Sequence, residues 1–169
     1  MKKPRERFLK KYDGKKYGWF LIAKEFAIAL LVLLVLFNVL VGVSRITGQS
    51  MEPTLEDGQL VLFSRYTGGF QWGDVVLARM PSGELYVKRV VALPGDTVAL
   101  ENGTLLVNGT ADPYGKGQTC QQEGIVTYPY VVEAGKYFLV GDNREHSTDS
   151  RAFGALPQSS IRGKLLFLS

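Results

Sequence analysis

The sequence predicts a mainly β protein: one N-terminal transmembrane helix, then a single antiparallel β domain of barrel or sandwich texture. Three observations lead there. Residues 26–43 form an almost uninterrupted apolar run. The roughly 125 residues after it, enough for one compact core and too few for two, are cut into short β-rich runs by Gly, Pro, Asn and Asp. Nothing in that stretch has the period of a long amphipathic helix.

The apolar run, Phe26 to Val43, contains one weakly polar side chain, Asn38. At 1.5 Å per residue it spans roughly 27 Å, close to a hydrocarbon core. It has no polar stripe, which argues against a buried helix of a soluble protein. A cleavable secretory signal would have a shorter apolar region ending in a small-x-small site, whereas this one leaves through Leu40-Val41-Gly42-Val43, so a retained anchor is expected.

Residues 1–25 carry nine basic groups (Lys2, Lys3, Arg5, Arg7, Lys10, Lys11, Lys15, Lys16, Lys24) against Glu6, Asp13 and Glu25. Arg45 is the only basic residue soon after the run. This asymmetry predicts a basic cytoplasmic segment at 1–25, a single membrane pass at 26–43 and an extracytoplasmic domain at 44–169 in the plasma membrane. Tyr17, Trp19 and Phe20 fall at interfacial depth, and the lipid bilayer is the partner of the N-terminal cations. The formal net charge of +4 therefore hides a domain that is net negative, and nucleic-acid binding is not expected.

The β runs, in order, are Gln59–Phe63, Asp74–Arg79, Glu84–Leu93, Thr97–Glu101, Thr104–Val107, Tyr137–Val140 and Gly163–Leu168. Asn102-Gly103 has the chemistry of a two-residue hairpin turn, and Asn108-Gly109 marks a second sharp reversal. Residues 111–130 lack periodicity and read as a surface loop. Cys120 is the only cysteine and His146 the only histidine, so neither an internal disulfide nor a zinc cluster is expected.

Ser50, in Gly48-Gln49-Ser50-Met51-Glu52-Pro53-Thr54-Leu55, stands seven residues beyond the run. A serine hydroxyl needs a base to act as a nucleophile at neutral pH, and a desolvated lysine can serve where histidine is scarce. Strand alternation in Leu85-Tyr86-Val87-Lys88-Arg89-Val90 puts Lys88 on one face with Tyr86 and Val90. Lys88 could equally snorkel from an edge strand, Ser50 could simply sit in a turn before Pro53, and His146 is a rival base. The stretch Gly141-Asp142-Asn143-Arg144-Glu145-His146-Ser147-Thr148-Asp149-Ser150-Arg151-Ala152-Phe153-Gly154 holds more polar groups than a plain turn needs, which implies an ordered, hydrogen-bonded loop.

Taken in order, Gly48-x-Ser50-Met51-x-Pro53-Thr54-Leu55, Gly73-Asp74-Val75-Val76, Tyr86-Val87-Lys88-Arg89-Val90 with Pro94-Gly95-Asp96, and the 141–154 stretch resemble the boxes of the bacterial type I signal peptidases (leader peptidases). The short domain is similar to the compact members from Gram-positive bacteria. The resemblance implies a membrane-bound serine endopeptidase of protein secretion that removes signal peptides from exported preproteins after small-x-small motifs. It implies Ser50 as nucleophile, Lys88 as general base, Ser147 as a hydroxyl orienting the amine, and Asp142, Asp149 and Arg151 as structural support. It further implies a shallow pocket of Met51, Leu55, Tyr86 and Val87, a substrate strand docked beside 46–48 and 84–86, no metal or organic cofactor, and the secretion channel as a further candidate partner. Gly48 departs from members that carry a serine there to complete the oxyanion hole beside the Ser50 N–H. Two other classes remain on the sequence alone: a serine and histidine hydrolase using His146, and a tethered β module that binds exported peptides without cutting them. A self-cleaving repressor protease would need a DNA-binding N-terminus where the apolar run lies.

Overall fold

The computed structural model describes residues 14–65 and 68–166, with side chains from Gly18 onward. The Tyr17 side chain, residues 1–13 of the basic N-terminal segment and the end of the Gly163–Leu168 run therefore lie outside what is described. The chain divides into two compact units, residues 1–39 and 40–169.

The described part of the first unit is helical. Helix α1 spans Gly14–Leu40, and its Gly18–Leu40 portion is apolar and long enough to cross a membrane. Those 23 residues extend roughly 34 Å. None of the portion's apolar window is buried within the protein, as expected of a helix whose solvent is lipid. Asn38 Nδ2 donates to Leu34 O at 2.9 Å, so the one polar side chain of the run is satisfied on its own helix. The boundaries differ from the apolar run: the helix begins twelve residues before Phe26 and stops at Leu40. Val41–Val43 are instead the start of a strand, because β-branched residues flanking Gly42 pair more favourably in a ladder than they extend a helix.

The second unit is built on two antiparallel sheets. The strands are β1 Val41–Arg45, β2 Leu60–Ser64, β3 Val75–Arg79, β4 Leu85–Ala92, β5 Thr97–Glu101, β6 Thr104–Val107, β7 Thr110–Ala111, β8 Tyr130–Val131, β9 Lys136–Val140, β10 Leu156–Pro157 and β11 Ile161–Leu165. The larger sheet runs β1-β2-β11-β3-β4-β9-β10 and the smaller β7-β6-β5-β8. Hairpin β5–β6 turns on Asn102-Gly103, with Asn102 at φ 49°, as the Asn-Gly signature predicts. Strand β1 was hidden in the apolar run, and β7, β8 and β10 are too short to carry a period.

The large sheet is covered on both faces. Val76, Ala78, Val90, Tyr137 and Leu139 pack with Phe70, Met80 and Ile161 on one side. Val91, Ala92, Phe138 and Val140 pack against Val98 and Leu105 of the small sheet on the other. A third cluster, Ile46, Met51, Leu55, Val61, Val75 and Leu165, seals the end nearest β1. This burial is why β3 reads as a continuous apolar run: its residues Val75 to Ala78 are all buried.

Candidate active site

The turn carrying Ser50 follows β1. Ile46 N–H donates to Gln59 O at 2.8 Å, and Gly58 N–H returns to Ile46 O at 2.9 Å. Gly48 has φ 88°, a left-handed conformation costly for a residue with a Cβ, and its N–H donates to Asp57 Oδ1 at 2.8 Å. That backbone gives a physical reason for glycine at this position. Met51 and Leu55 are buried in the third cluster, so the turn is pinned to the core on both sides of a half-buried Ser50.

Lys88 sits in the middle of β4, opposite Val76 of β3 and on the same face as Val90. It is 2 % exposed, which excludes the snorkelling alternative. Its Nζ lies 2.7 Å from Ser50 Oγ and 5.3 Å from the centroid of the Tyr86 ring. The amine is pulled from 10.5 down to about 8, chiefly by burial; Asp149 and Asp142 oppose the shift and Arg151 adds to it.

The two carboxylates do not hold the lysine charged because each is neutralised by an arginine. Asp142, fully buried, accepts from Arg89 Nε at 2.8 Å, Arg89 Nη2 at 2.6 Å and Thr54 Oγ1 at 2.5 Å. Arg89 also donates to Gly73 O at 2.8 Å and stacks over the Tyr114 ring at 4.2 Å. Asp149 accepts from Arg151 Nε at 2.8 Å and Nη2 at 2.9 Å, from Gly141 N at 3.0 Å and from Ser147 Oγ at 2.6 Å. Buried bidentate pairs of this kind keep charge in place at the cost of desolvation, and here they leave Lys88 without an acid of its own.

Two sequence expectations are not met in this geometry. The Ser147 hydroxyl donates to Asp149, and among the described residues no hydrogen bond joins it to Lys88 Nζ; the carboxylate is the stronger acceptor and lies only two residues away. Leu55 is core beneath the turn and does not line the cavity beside Ser50. That cavity, about 160 Å³, is walled by Ile46, Met51, Leu77, Leu85, Tyr86 and Val87. A second cleft, about 250 Å³, holds Lys88, with Gly48, Gln49, His146 and Thr148 around it.

Sequence reasoning missed the segment around 112–125, read as a plain surface loop. It straps the 141–154 loop: Lys116 N–H donates to Asp142 O, Arg144 pairs with Asp112, and Gln122 bridges Ser147 O and Asp149 N–H. No local signal announces contacts made some 25 residues away. Gly141, by contrast, was in the quoted box, and a Cβ there would lie 2.2 Å from Ser147 Oγ and 2.5 Å from Ser50 O, so only glycine lets the loop reach the serine turn. Among the described residues no group of three or more His, Cys, Asp or Glu is placed to hold a metal ion.

A serine hydroxyl 2.7 Å from a buried amine with no counter-ion, beside a small cavity, is an arrangement chemically able to support acyl transfer. Residues 19–169 match the family described as Signal peptidase, peptidase S26, and the chain belongs to that family. Signal peptidase IB of Staphylococcus aureus (strain N315) is 37 % identical over 160 residues, covering 83 % of this chain and 84 % of the relative. Signal peptidase I of Bacillus licheniformis is 34 % identical over 171, covering 94 % and 92 %. The crystal structure of a signal peptidase I from Enterococcus faecalis V583 is 31 % identical, covers 57 % of this chain and 97 % of that one, and superposes with a TM-score of 0.47. The activity is accordingly that of a signal peptidase, a serine protease whose substrates are preproteins bearing signal peptides.

Proposed function

We propose that Ser50 and Lys88 form the catalytic dyad of this peptidase. The observation that carries the reading is the 2.7 Å contact between Ser50 Oγ and an amine that is buried and lacks an acid partner. In its neutral form Lys88 Nζ accepts the Ser50 proton as Oγ attacks the scissile carbonyl carbon. The oxyanion forms against the Ser50 N–H, which has no other hydrogen-bond partner among the described residues. On collapse the C–N bond breaks, the Lys88 ammonium protonates the departing amine, and the acyl group remains as an ester on Ser50. A water deprotonated by the same amine then releases the signal peptide and restores the hydroxyl.

The cavity of about 160 Å³ beside Ser50, walled by Met51, Leu77, Tyr86 and Val87, supports a seat there for the substrate side chain that precedes the cut, and the family resemblance makes that side chain a small one. An extended substrate has an edge to pair with: β9 covers β4 only from Arg89 onward, so Leu85 to Lys88 keep one side open, facing Ser44 to Thr47 across the cavity. Asp142, Asp149 and Arg151 act by holding the loop, and Ser147 acts through Asp149 rather than on the amine. The charge asymmetry about α1 supports a single-pass plasma-membrane protein with residues 1–25 cytoplasmic and the β domain outside. The test is conversion of a preprotein to its mature form by the full chain in detergent. Ser50→Ala and Lys88→Ala each lower the rate by about 10⁴-fold or more; retention of cleavage by either variant contradicts the dyad.

A further inference from the structure

The hydroxyl and its base are held by the core, but an oxyanion donor has also to be aimed. The Ser50 N–H belongs to the Gln49–Ser50 peptide, a rigid trans plane in which the carbonyl and the N–H point to opposite edges. Whatever fixes the Gln49 carbonyl therefore fixes the direction of the Ser50 N–H. Two donors reach that carbonyl: Glu52 N–H at 3.1 Å, which belongs to the same turn and moves with it, and Asn143 Nδ2 at 3.1 Å, which comes from the loop after β9. The Asn143 backbone N–H holds the next carbonyl, Ser50 O, at 3.1 Å. One residue thus ties down both peptide planes that flank the nucleophile, from an element anchored elsewhere in the fold.

The amide of Asn143 has a defined orientation. Gln49 O can only accept, so Nδ2 must face it and Oδ1 must face the other way. There it meets His146 Nδ1 at 3.2 Å, and the His146 backbone N–H donates to Asn143 O at 3.2 Å. The imidazole therefore carries its proton on Nδ1 toward Asn143 whether the ring is neutral or charged, which leaves Nε2 turned away from the contact. The only histidine in the chain, exposed and without a place in the dyad, locks the amide that holds the turn.

We propose that Asn143, locked by His146, is a positioning residue that aims the Ser50 N–H at the developing oxyanion. The proposal rests on the Ser50 and Lys88 reading above. It assigns His146 a part in the reaction that is neither base nor substrate ligand.

The experiment uses the full chain in detergent with two peptide substrates that differ only in the scissile carbonyl, oxygen in one and sulfur in the other. Sulfur is the poorer hydrogen-bond acceptor, so a well-aimed donor favours the amide. For Asn143→Ala the expected result is a fall in kcat of about 10- to 100-fold, part of what a lost oxyanion donor costs. KM stays within about twofold, the pH midpoint does not move, and the preference for amide over thioamide shrinks. His146→Ala shows the same pattern at several-fold, and His146→Asn, which keeps a donor, restores most of it. The proposal is overturned if kcat is unchanged, or if it falls with the amide preference intact. Should Asn143→Ala fail to fold, His146→Ala decides alone, since its exposed ring supports no core: unchanged kcat or an unchanged amide preference overturns the proposal. Loss of cleavage in Ser50→Ala and Lys88→Ala together with a wild-type Asn143→Ala would refute this proposal only; cleavage by either dyad variant would refute the underlying reading.

Discussion

Lys88 and Arg151 are both cations sealed inside the β domain, each at most 2 % exposed, and they have met burial in opposite ways. Arg151 shares two hydrogen bonds with Asp149 and donates to Ser147 O at 2.9 Å, so its charge is matched where it stands. Lys88 faces a serine hydroxyl and an aromatic ring, and the desolvation it suffers is relieved by giving up its proton, at about pH 8. Lys136, at the surface, marks the other limit: the side-chain hydrogen bond to Glu133, 2.7 Å away, raises its pKa. Burial alone does not make a base. In the dyad proposed above, burial acts together with carboxylates that are already committed to arginines.

The comparison breaks most severely if the arginine is removed. Arg151→Met leaves Asp149 buried and unpaired, and a destabilisation of about 3–5 kcal/mol is expected by chemical denaturation. In whatever fraction still folds, the freed carboxylate pulls the Lys88 pKa upward, and the midpoint of activity moves above 8. An unchanged midpoint would show that the pairing is irrelevant to the amine.

Removing the lysine sharpens the contrast, because the effect on stability has the reverse sign. The folded-state pKa is depressed to about 8 from 10.5, so the unfolded chain holds the proton more tightly. The penalty for burying the ammonium is fully present below pH 8 and disappears as pH rises to 10.5. Lys88→Met, which conserves volume, should therefore be inactive yet gain on the wild type at pH 7. Over the window from pH 8 to 10.5 that advantage should shrink by about 3 kcal/mol. A stability difference flat across this window would mean that the amine titrates normally.

The smallest effect belongs to the surface pair. Lys136→Ala should leave cleavage and the unfolding midpoint at wild-type values, since an exposed ion pair is screened by water and salt. A clear loss in either would show that charge near β9 acts on the site at long range.

Much of this domain could be read from the chain because its strands are short, β-branched and bounded by turn residues. Thr97–Glu101 and Thr104–Val107 came out at their actual limits. Strand β1 did not, since Val41 and Val43 are as compatible with lipid as with a ladder and only pairing with β2 decides between them. In the site, Ser50 and Lys88 stood out by their company, and the geometry brings them together across 38 residues of sequence. The ion pairs Arg89–Asp142 and Arg144–Asp112 did not stand out, because a charge carries no mark of the distant partner that will neutralise it. Leu55 and Met51 are both core residues of one turn, and no local rule says that only Met51 also borders the cavity. On the sequence His146 stands out only as a rival base, and nothing local signals that its ring meets Asn143 Oδ1.

The account depends on an amine that loses its proton near neutrality, so the decisive measurement is the pH dependence of single-turnover preprotein cleavage, made in parallel on the wild type and His146→Ala. Both should give a single rise toward alkaline pH with a midpoint near 8, the value burial imposes on Lys88. A rise that disappears in His146→Ala would assign the base to the imidazole and contradict the account.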